Sequence, residues 1–328
     1  MHYSAAIPLQ LLTVSIITLQ REYLHKQINN AFPLRNSYDY VVIGAGTAGA
    51  AVAYRLTEDP HISVLLLEAG PPNTAVSDAP ALAVPLWREY HIFDWDYKTV
   101  PQRHGFCLRK PGVFPERRGR VIGGTSTING LIHVLGNRAD FDEWVIQYGA
   151  VGWSYDEVLP YFRKLENNSD AKLCAENPGF HGTDGPIGIQ SDPNPQKLLQ
   201  VFQKVFNQFG YPTTDLNGPK QFGTAFAQMA IKDGFRSGSG NAYIDPNRHP
   251  NNLFIQTNAL VTKIRFVQMG NELTATGVEF VINGRKFKVN ADLEVILSAG
   301  MSSQTVIPVL RFKIQFIKLK AHSILPNY

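Results

Sequence analysis

Three glycines and one acid near the start of the chain have the spacing of a nucleotide-binding site. Gly44, Gly46 and Gly49 fit the pattern G-x-G-x-x-G, and Glu68 follows about 20 residues on. In this pattern the first glycine allows a tight turn, the second lets backbone amides approach a pyrophosphate, and the third lets a helix pack closely on a strand. A carboxylate placed like Glu68 can bind both ribose hydroxyls. These residues predict a dinucleotide site.

The sequence around the glycines supplies the context that this pattern needs. "YDYVVIGAGTAGAAVAYRLTED" reads as strand, glycine turn and helix, and "ISVLLLEAG" reads as a second buried strand. The alternative, a glycine turn of an ordinary α/β protein beside a surface acid, does not account for all four features occurring in order. An acid at this position disfavours a 2′-phosphate, so NADP is not expected, whereas NAD and FAD both present an adenosine ribose.

A second glycine pair lies about 80 residues further along the chain. "RRGRVIGGTSTINGLIHVLGNRADFDEW", residues 117–144, places two glycines before small hydroxyl residues. Backbone amides there can face another polar edge of a ligand. This arrangement suits a two-ended cofactor whose far ring system lies away from the first glycine loop.

Hydrophobic patterns indicate the elements that must position these residues. The segments "DFDEWVIQYG", "SYDEVLPYFRKLENN" and "QKLLQVFQKVFNQFG" predict helices, the second with a capping box of Ser154 and Glu157. Strands are expected from Asn252 onward, with a hairpin turn at Asn283-Gly284. Parallel strands around a glycine turn predict an α/β fold with a Rossmann-like domain.

The segment 117–144 resembles the glucose-methanol-choline (GMC) oxidoreductase family, and its sequence is most similar to the insect glucose-dehydrogenase-like branch. Further segments match that family in order over about residues 38–300: "YDYVVIGAGTAGA", "LLLEAG", "DWDYKTVPQ", "HGTDGPIGIQ", "GYPTTDLNG" and "NALVTKIRF". The resemblance implies a GMC-type FAD-binding domain with part of an α+β substrate domain, and FAD as the cofactor. Family members with covalent flavin carry a His where this chain has Ile128, so noncovalent FAD is expected.

The resemblance also implies the residues that contact the cofactor. Val261 would touch the adenine through its backbone, and the stretch from Val121 to Ile132 would run along the pyrophosphate and flavin. From apolarity alone, Val121, Ile132 and Val261 would be core residues instead. The expected cofactor-binding residues are Gly44, Gly46, Thr47, Gly49, Glu68, Val121, Gly124, Thr125, Asn129, Gly130, Leu131, Ile132 and Val261.

The activity implied by the resemblance is oxidation of a small alcohol or sugar, with a His base and hydride transfer to the flavin. The family places this base C-terminal to the part matched here, so we name no catalytic residue and expect the chain alone to be inactive. A short FAD-binding isoform without catalysis, or a structural or partner-binding protein that reuses the fold, stays open. Scattered histidines offer neither metal spacing nor a hydrolytic pattern.

Composition excludes other classes of function. The 328 residues carry a net charge of +4, and the last acid is Glu294, so the excess charge lies in a basic tail. A nucleic-acid surface needs a basic stripe on a folded face, and none is expected. Residues 5–19 form an apolar run that is too short to span a membrane, and this run reads either as a helix or as a signal sequence. The family favours secretion, but the compartment stays open. The two cysteines, Cys107 and Cys174, are expected to be free thiols.

These observations divide the chain into four parts. Residues 1–37 form an N-terminal helix or signal-like segment, and residues 38–150 with 252–300 form the FAD-binding domain. Residues 151–251 form a partial substrate domain with helical insertions. After "EVILSAG" the match to the family weakens, so residues 301–328 are taken as a divergent tail. The substrate and the electron acceptor, which an FAD oxidoreductase needs to complete its cycle, are not specified by the sequence.

Overall fold

A computed structural model describes residues 28–83, 91–101, 112–245, 247–270 and 272–301. Of the predicted signal-like segment 1–37 only residues 28–37 are described, and of the predicted tail 301–328 only Met301 is described. Cys107 lies outside the described residues. Cys174 is a free thiol. Among the described residues, no helix is both long enough and apolar enough to cross a membrane.

Fourteen strands and six α-helices are described, and most of the strands outside the main sheet are very short. The strands are β1 Ser37–Ile43, β2 Val64–Leu67, β3 Tyr97–Lys98, β4 Pro115–Glu116, β5 Ile132–His133, β6 Glu166–Asn168, β7 Ile187–Ile189, β8 Gln228–Met229, β9 Ile231–Lys232, β10 Phe235–Arg236, β11 Leu253–Gln256, β12 Leu260–Met269, β13 Glu272–Ile282 and β14 Arg285–Leu297. The helices are α1 Thr47–Leu56, α2 Ala75–Asp78, α3 Arg138–Tyr148, α4 Tyr155–Leu165, α5 Ala171–Glu176 and α6 Lys197–Gln208.

A six-stranded sheet forms the centre of the fold, in the order β11-β2-β1-β14-β13-β12. The four strands β11, β2, β1 and β14 run parallel, and β13 and β12 extend the sheet antiparallel. The residues of β2 are fully buried, as expected for a parallel strand covered on both faces. This sheet confirms the predicted α/β fold.

The carboxyl ends of β1, β2 and β14 lie side by side in this sheet. β1 pairs with β2 on one side and with β14 on the other, and all three strands run in the same direction. Ligands in open α/β sheets bind in the crevice outside the carboxyl ends of such strands. The topology therefore places Gly44, Glu68 and Ser298 at one edge.

Local sequence signals are reproduced closely. Asn283 and Gly284 have φ values of 48° and 78° and form a two-residue turn, with Ile282 paired to Arg285. Positive φ at both positions is typical of a type I′ hairpin. Helix α4 begins after Ser154, whose backbone N–H donates to Glu157 Oε2 at 3.0 Å, so both predictions are confirmed.

Helix α6 forms where the periodicity predicts it, but its apolar face is uncovered by the described residues. Leu198, Phe202 and Phe206 are 64%, 53% and 47% exposed. No residue of the helix is buried. The pattern thus predicts the helix and its apolar face, whereas burial requires a neighbour that sequence periodicity does not specify.

Candidate cofactor site

The first glycine loop packs tightly between two strand ends. Gly44 follows β1 with φ +96°, and a Cβ there would lie 2.6 Å from the Ser298 carbonyl oxygen. A Cβ on Gly49 would lie 1.9 Å from the Gly44 carbonyl oxygen. Only glycine satisfies both positions, because the first needs a left-handed backbone and both lack room for a side chain. Gly46 immediately precedes helix α1, whose N-terminal partial positive charge favours an anion there.

Glu68 lies just beyond β2 and holds the glycine loop. Its Oε2 accepts a hydrogen bond from the Ala45 N–H at 2.8 Å, and its Oε1 accepts one from the Gly70 N–H at 2.8 Å. Burial raises the pKa of Glu68 to about 7, and these two hydrogen bonds offset only part of the rise. A carboxylate offers about four lone-pair sites, so two remain for ribose hydroxyls.

The second glycine pair lies directly against the first loop. The Gly123 N–H donates to the Ala45 carbonyl oxygen at 2.7 Å. Gly124 has φ +55°, and a Cβ there would lie 2.8 Å from Gly46 Cα. A single 3₁₀ turn, Gly124–Thr127, follows. Two motifs that are far apart in the sequence therefore form one surface.

A cavity of about 730 Å³ opens at this surface. It is lined by the carboxyl ends of β1, β2 and β14, by the start of β12, and by Gly124 and Thr125. Of the residues predicted from the sequence, seven line it: Gly44, Gly46, Thr47, Glu68, Gly124, Thr125 and Val261.

The other predicted site residues lie outside the cavity wall. Gly49 packs beneath the loop. Val121 is fully buried in a separate cluster with Phe93 and Ile128, so the alternative interpretation of Val121 as a core residue describes its surroundings. Four more predicted residues continue from the far end of the 3₁₀ turn: Asn129, Gly130, Leu131 and Ile132.

This last stretch combines exposed and buried residues. Leu131 is 3% exposed and has φ +70°, an uncommon conformation for a residue with a branched side chain. Ile132 is 62% exposed, so it is not a core residue within the described structure. Asn129 and Gly130 are exposed too.

Several cavity residues were not anticipated as site residues. Trp95 and Tyr97 lie in the segment "DWDYKTVPQ", which matched the family but was given no role in the site. Their ring centroids are 5.8 Å apart, and the rings stack with an interplanar angle of 4°. Arg118 and the turn from Ser298 to Met301 also line the cavity. The strand ending in "SAG" was a usable signal, since parallel strands end at ligands. Trp95 precedes the strand β3, which is only two residues long, Tyr97–Lys98, and offers no periodicity.

The cavity fits the adenosine diphosphate part of a flavin dinucleotide. Glycines without room for Cβ leave backbone amides accessible, a helix N-terminus faces the loop, and Glu68 supplies acceptors for hydroxyl groups. The cavity wall also includes flat aromatic rings. These are the groups that a pyrophosphate, a ribose and a purine require.

A second group of titratable side chains lies apart from this cavity. His181 is held between two carboxylates, with Nδ1 3.0 Å from Glu166 Oε1 and Nε2 2.7 Å from Asp215 Oδ2. Burial lowers the pKa of His181, but the bonds to Asp215 and Glu166 outweigh it and raise the pKa to about 9. Burial lowers the pKa of the neighbouring His133. The cluster joins β6 to the segments that carry His181 and Asp215, and it forms a buried ion-pair network.

Comparisons with known proteins identify the family to which the chain is similar. A family model described as GMC oxidoreductase matches residues 38–307, which extends past Gly300. An oxygen-dependent choline dehydrogenase of Staphylococcus saprophyticus subsp. saprophyticus is 38% identical over 272 residues, or 81% of this chain and 46% of that protein. The glucose dehydrogenase (FAD, quinone) of Drosophila pseudoobscura pseudoobscura is 37% identical over 267 residues, or 80% of this chain and 41% of that protein.

Solved structures show the same similarity. Pyridoxine 4-oxidase from Mesorbium loti superposes with a TM-score of 0.72 at 31% identity, covering 80% of this chain and 50% of that chain. The present chain spans about half the length of the relatives it matches. GMC oxidoreductases are FAD-binding flavoproteins, which confirms the cofactor class implied by the resemblance. The chain belongs to the GMC oxidoreductase family.

Proposed function

We propose that this chain carries the FAD-binding part of an oxidoreductase that acts on CH–OH groups of small alcohols. The observation that carries the proposal is the contact between the two glycine motifs, where Gly123 bonds to Ala45 and Gly124 touches Gly46 beside Glu68. A mononucleotide site would need only the first motif, whereas a two-ended cofactor uses both.

Each group of residues has a proposed role toward the cofactor. The loop Gly44–Gly49 and the N-terminus of α1 bind the pyrophosphate, Glu68 binds the ribose, and Val261 contacts the adenine. Thr125 and the stretch that follows it extend the site toward the flavin. The chemistry that FAD supplies when bound is acceptance of a hydride from the alcohol carbon.

We propose that the FAD is held noncovalently and that the chain alone does not oxidise alcohols. Ile128 offers no nucleophile for flavin attachment and is 2% exposed. Alcohol oxidation needs a base within reach of the substrate hydroxyl. Among the described residues that line the cavity, none is a histidine, and Glu68 faces the glycine loop.

The domain organisation stays a proposal as well, with residues 38–150 and 252–300 binding FAD and 151–251 belonging to a substrate domain. The parallel and the antiparallel strands of the central sheet all fall in the proposed FAD-binding part, except for Ser37 at the start of β1. Ile187, Ile189 and Ile244, from the second set, pack in the same core cluster as the first. Because residues of both parts share one core cluster, the two parts are proposed to pack against each other rather than to be joined by a flexible linker.

We also propose an alcohol or sugar as substrate and the insect glucose-dehydrogenase-like branch as the position in the family. The quoted wording of residues 117–144 supports the branch. Identity alone does not select it, because choline and glucose dehydrogenases match at 38% and 37%.

The test is purification of the chain followed by flavin spectroscopy and turnover assays. We expect flavin absorption bands, a colourless pellet with free FAD in the supernatant after acid precipitation, and no dye reduction with choline or glucose. A coloured pellet would contradict noncovalent binding. Dye reduction that depends on the alcohol would contradict inactivity, and a preference between the two alcohols would then assign the branch.

A further inference from the structure

A guanidinium group is buried where three segments meet behind the second glycine motif. Arg236, in β10, is 2% exposed. Its Nε donates to the Ser77 carbonyl oxygen at 2.9 Å, and its Nη1 donates to the Ser126 carbonyl oxygen at 3.1 Å and to Asn129 Oδ1 at 2.8 Å. Burial lowers its pKa to about 10, while the nearby Asp78 favours the charged form.

Burying a charged group is costly unless it is well bonded, so this arrangement calls for a function or a compensating structural role. Two of the three bonds go to backbone carbonyl oxygens and tie α2 to the 3₁₀ turn Gly124–Thr127. The third is different, because it goes to a side chain that is itself exposed. A packing role for Arg236 does not require that bond.

The bond to Asn129 fixes which way its amide points. Asn129 Oδ1 accepts from Arg236 Nη1 and also from the Leu131 N–H at 3.0 Å. Both partners are donors, so the oxygen must face them. The amide nitrogen then points the other way and presents two N–H donors. Without Arg236, the Leu131 N–H alone would hold the amide.

Asn129 is connected to the wall of the cofactor cavity. Its backbone N–H donates to the Thr125 carbonyl oxygen at 2.9 Å, and Thr125 lines the cavity. Asn129 therefore lies one short turn beyond the wall formed by Gly124 and Thr125. On the role proposed above for Thr125 and the stretch that follows it, this turn belongs to the flavin end of the site.

We propose that Arg236 is a positioning residue that orients the Asn129 amide so that its Nδ2 donates to an acceptor atom of the flavin. The inference rests on the proposed FAD-binding function. The ring acceptors of a flavin are carbonyl oxygens and unprotonated nitrogens, which match an amide donor and would be repelled by an amide oxygen. Arg236 acts through Asn129 and need not touch the cofactor.

The experiment measures FAD affinity and the visible circular dichroism of the bound flavin in a double-mutant cycle. The variants are Arg236→Met, Asn129→Ala and the double variant, with Arg236→Lys as the conservative change. We expect each single change to weaken FAD binding about tenfold, the value of one hydrogen bond, and to alter the flavin spectrum. The double variant should bind no more weakly than Asn129→Ala alone, because the two residues act in series.

Two further variants separate positioning from stability. Asn129→Asp keeps an acceptor for Arg236 but removes the donor, so it should fold like the wild type and lose the spectral signature. Ser237→Ala removes a neighbouring buried bond, from the Gly188 N–H to Ser237 Oγ at 2.8 Å. It should lower stability without altering the flavin spectrum.

The possible outcomes separate this inference from the function on which it rests. Additive effects in the cycle, or an unchanged flavin spectrum in Asn129→Ala and Asn129→Asp, would overturn the role of Arg236 while leaving FAD binding intact. If Arg236→Met does not fold, Arg236→Lys and the two Asn129 variants decide by the same criteria. Failure of the wild type to bind FAD would overturn both the function and the inference.

Discussion

Replacing Glu68 by glutamine tests how the acid beside the glycine loop is held. Glu68 is 6% exposed, and its carboxylate accepts hydrogen bonds from the Ala45 and Gly70 N–H groups. Burial raises its pKa to about 7 in the folded protein, from 4.5. Because the folded-state pKa is raised, Glu68 contributes stability that is fully present below about pH 4.5 and is lost as pH rises through about 7.

The size of the effect follows from these two values. Between pH 5 and pH 8, ionisation stabilises the unfolded chain more than the folded one, and the Glu68 contribution to the free energy of unfolding falls by about 2.5 kcal/mol. Glutamine does not ionise, so Glu68→Gln should lack this fall. His181, whose pKa is raised to about 9, adds a decrease of the same sign in both proteins. The difference between the two proteins therefore isolates Glu68.

Urea unfolding of the FAD-free chain at pH 5, 6, 7 and 8 measures this difference. Glu157→Gln is a matched control, because the bonds from Ser154 lower the pKa of that exposed acid and its titration lies below the range. We expect the free energy of unfolding of the wild type, minus that of Glu68→Gln, to fall as the pH rises from 5 to 8. The corresponding difference between the wild type and Glu157→Gln should stay constant. A constant difference between wild type and Glu68→Gln would refute the buried, desolvated state of Glu68.

Three other predictions concern the packing of the site and its surroundings. Gly124→Ala should lower the free energy of unfolding in urea by about 1–3 kcal/mol, because Gly124 has a left-handed backbone and contacts the first glycine loop. Gly130 has open space around it, so Gly130→Ala should cost less than about 0.5 kcal/mol. Equal costs would contradict the contact. His181→Ala should cost about 3–5 kcal/mol, because it removes the cation held between the buried carboxylates of Glu166 and Asp215. The exposed His61→Ala should change stability little, and equal thermal unfolding of the two variants would contradict the network. Trp95→Phe should remove the largest share of the FAD-induced quenching of tryptophan fluorescence. If the four tryptophans contributed equally, each would account for a quarter of this quenching. A loss of quenching below a quarter in Trp95→Phe would contradict the place of Trp95 in the cavity.

The parts of the fold that depend on neighbouring residues in the sequence were predictable. The glycine turn, the helix cap at Ser154 and the hairpin at Asn283 each depend on a few consecutive residues with defined backbone needs. The pairing of β1 with β14 joins residues about 250 positions apart, and no local pattern specifies such a neighbour. The resemblance to a family supplied what local physics could not.

In the candidate site, too, residues with a specific chemical requirement were predictable, and residues placed by tertiary packing were not. The glycines and Glu68 could be found because each has a chemical requirement that few residue types meet. Trp95 was missed as a cavity residue because stacking needs only a flat ring at the right place, which spacing does not reveal. Arg236 was missed because a single arginine in a two-residue strand looks like a surface charge until its burial and its bond to Asn129 are known. Burial is a property of tertiary packing.

Both glycine motifs are proposed to form one FAD site, and calorimetric titration of the purified chain with FAD measures whether they do. We expect one FAD per chain, competition by ADP for the same site, and much weaker competition by FMN, since the described cavity is proposed to hold the adenosine diphosphate part. Absence of FAD binding, or FAD binding that ADP does not displace, would rule out such a site.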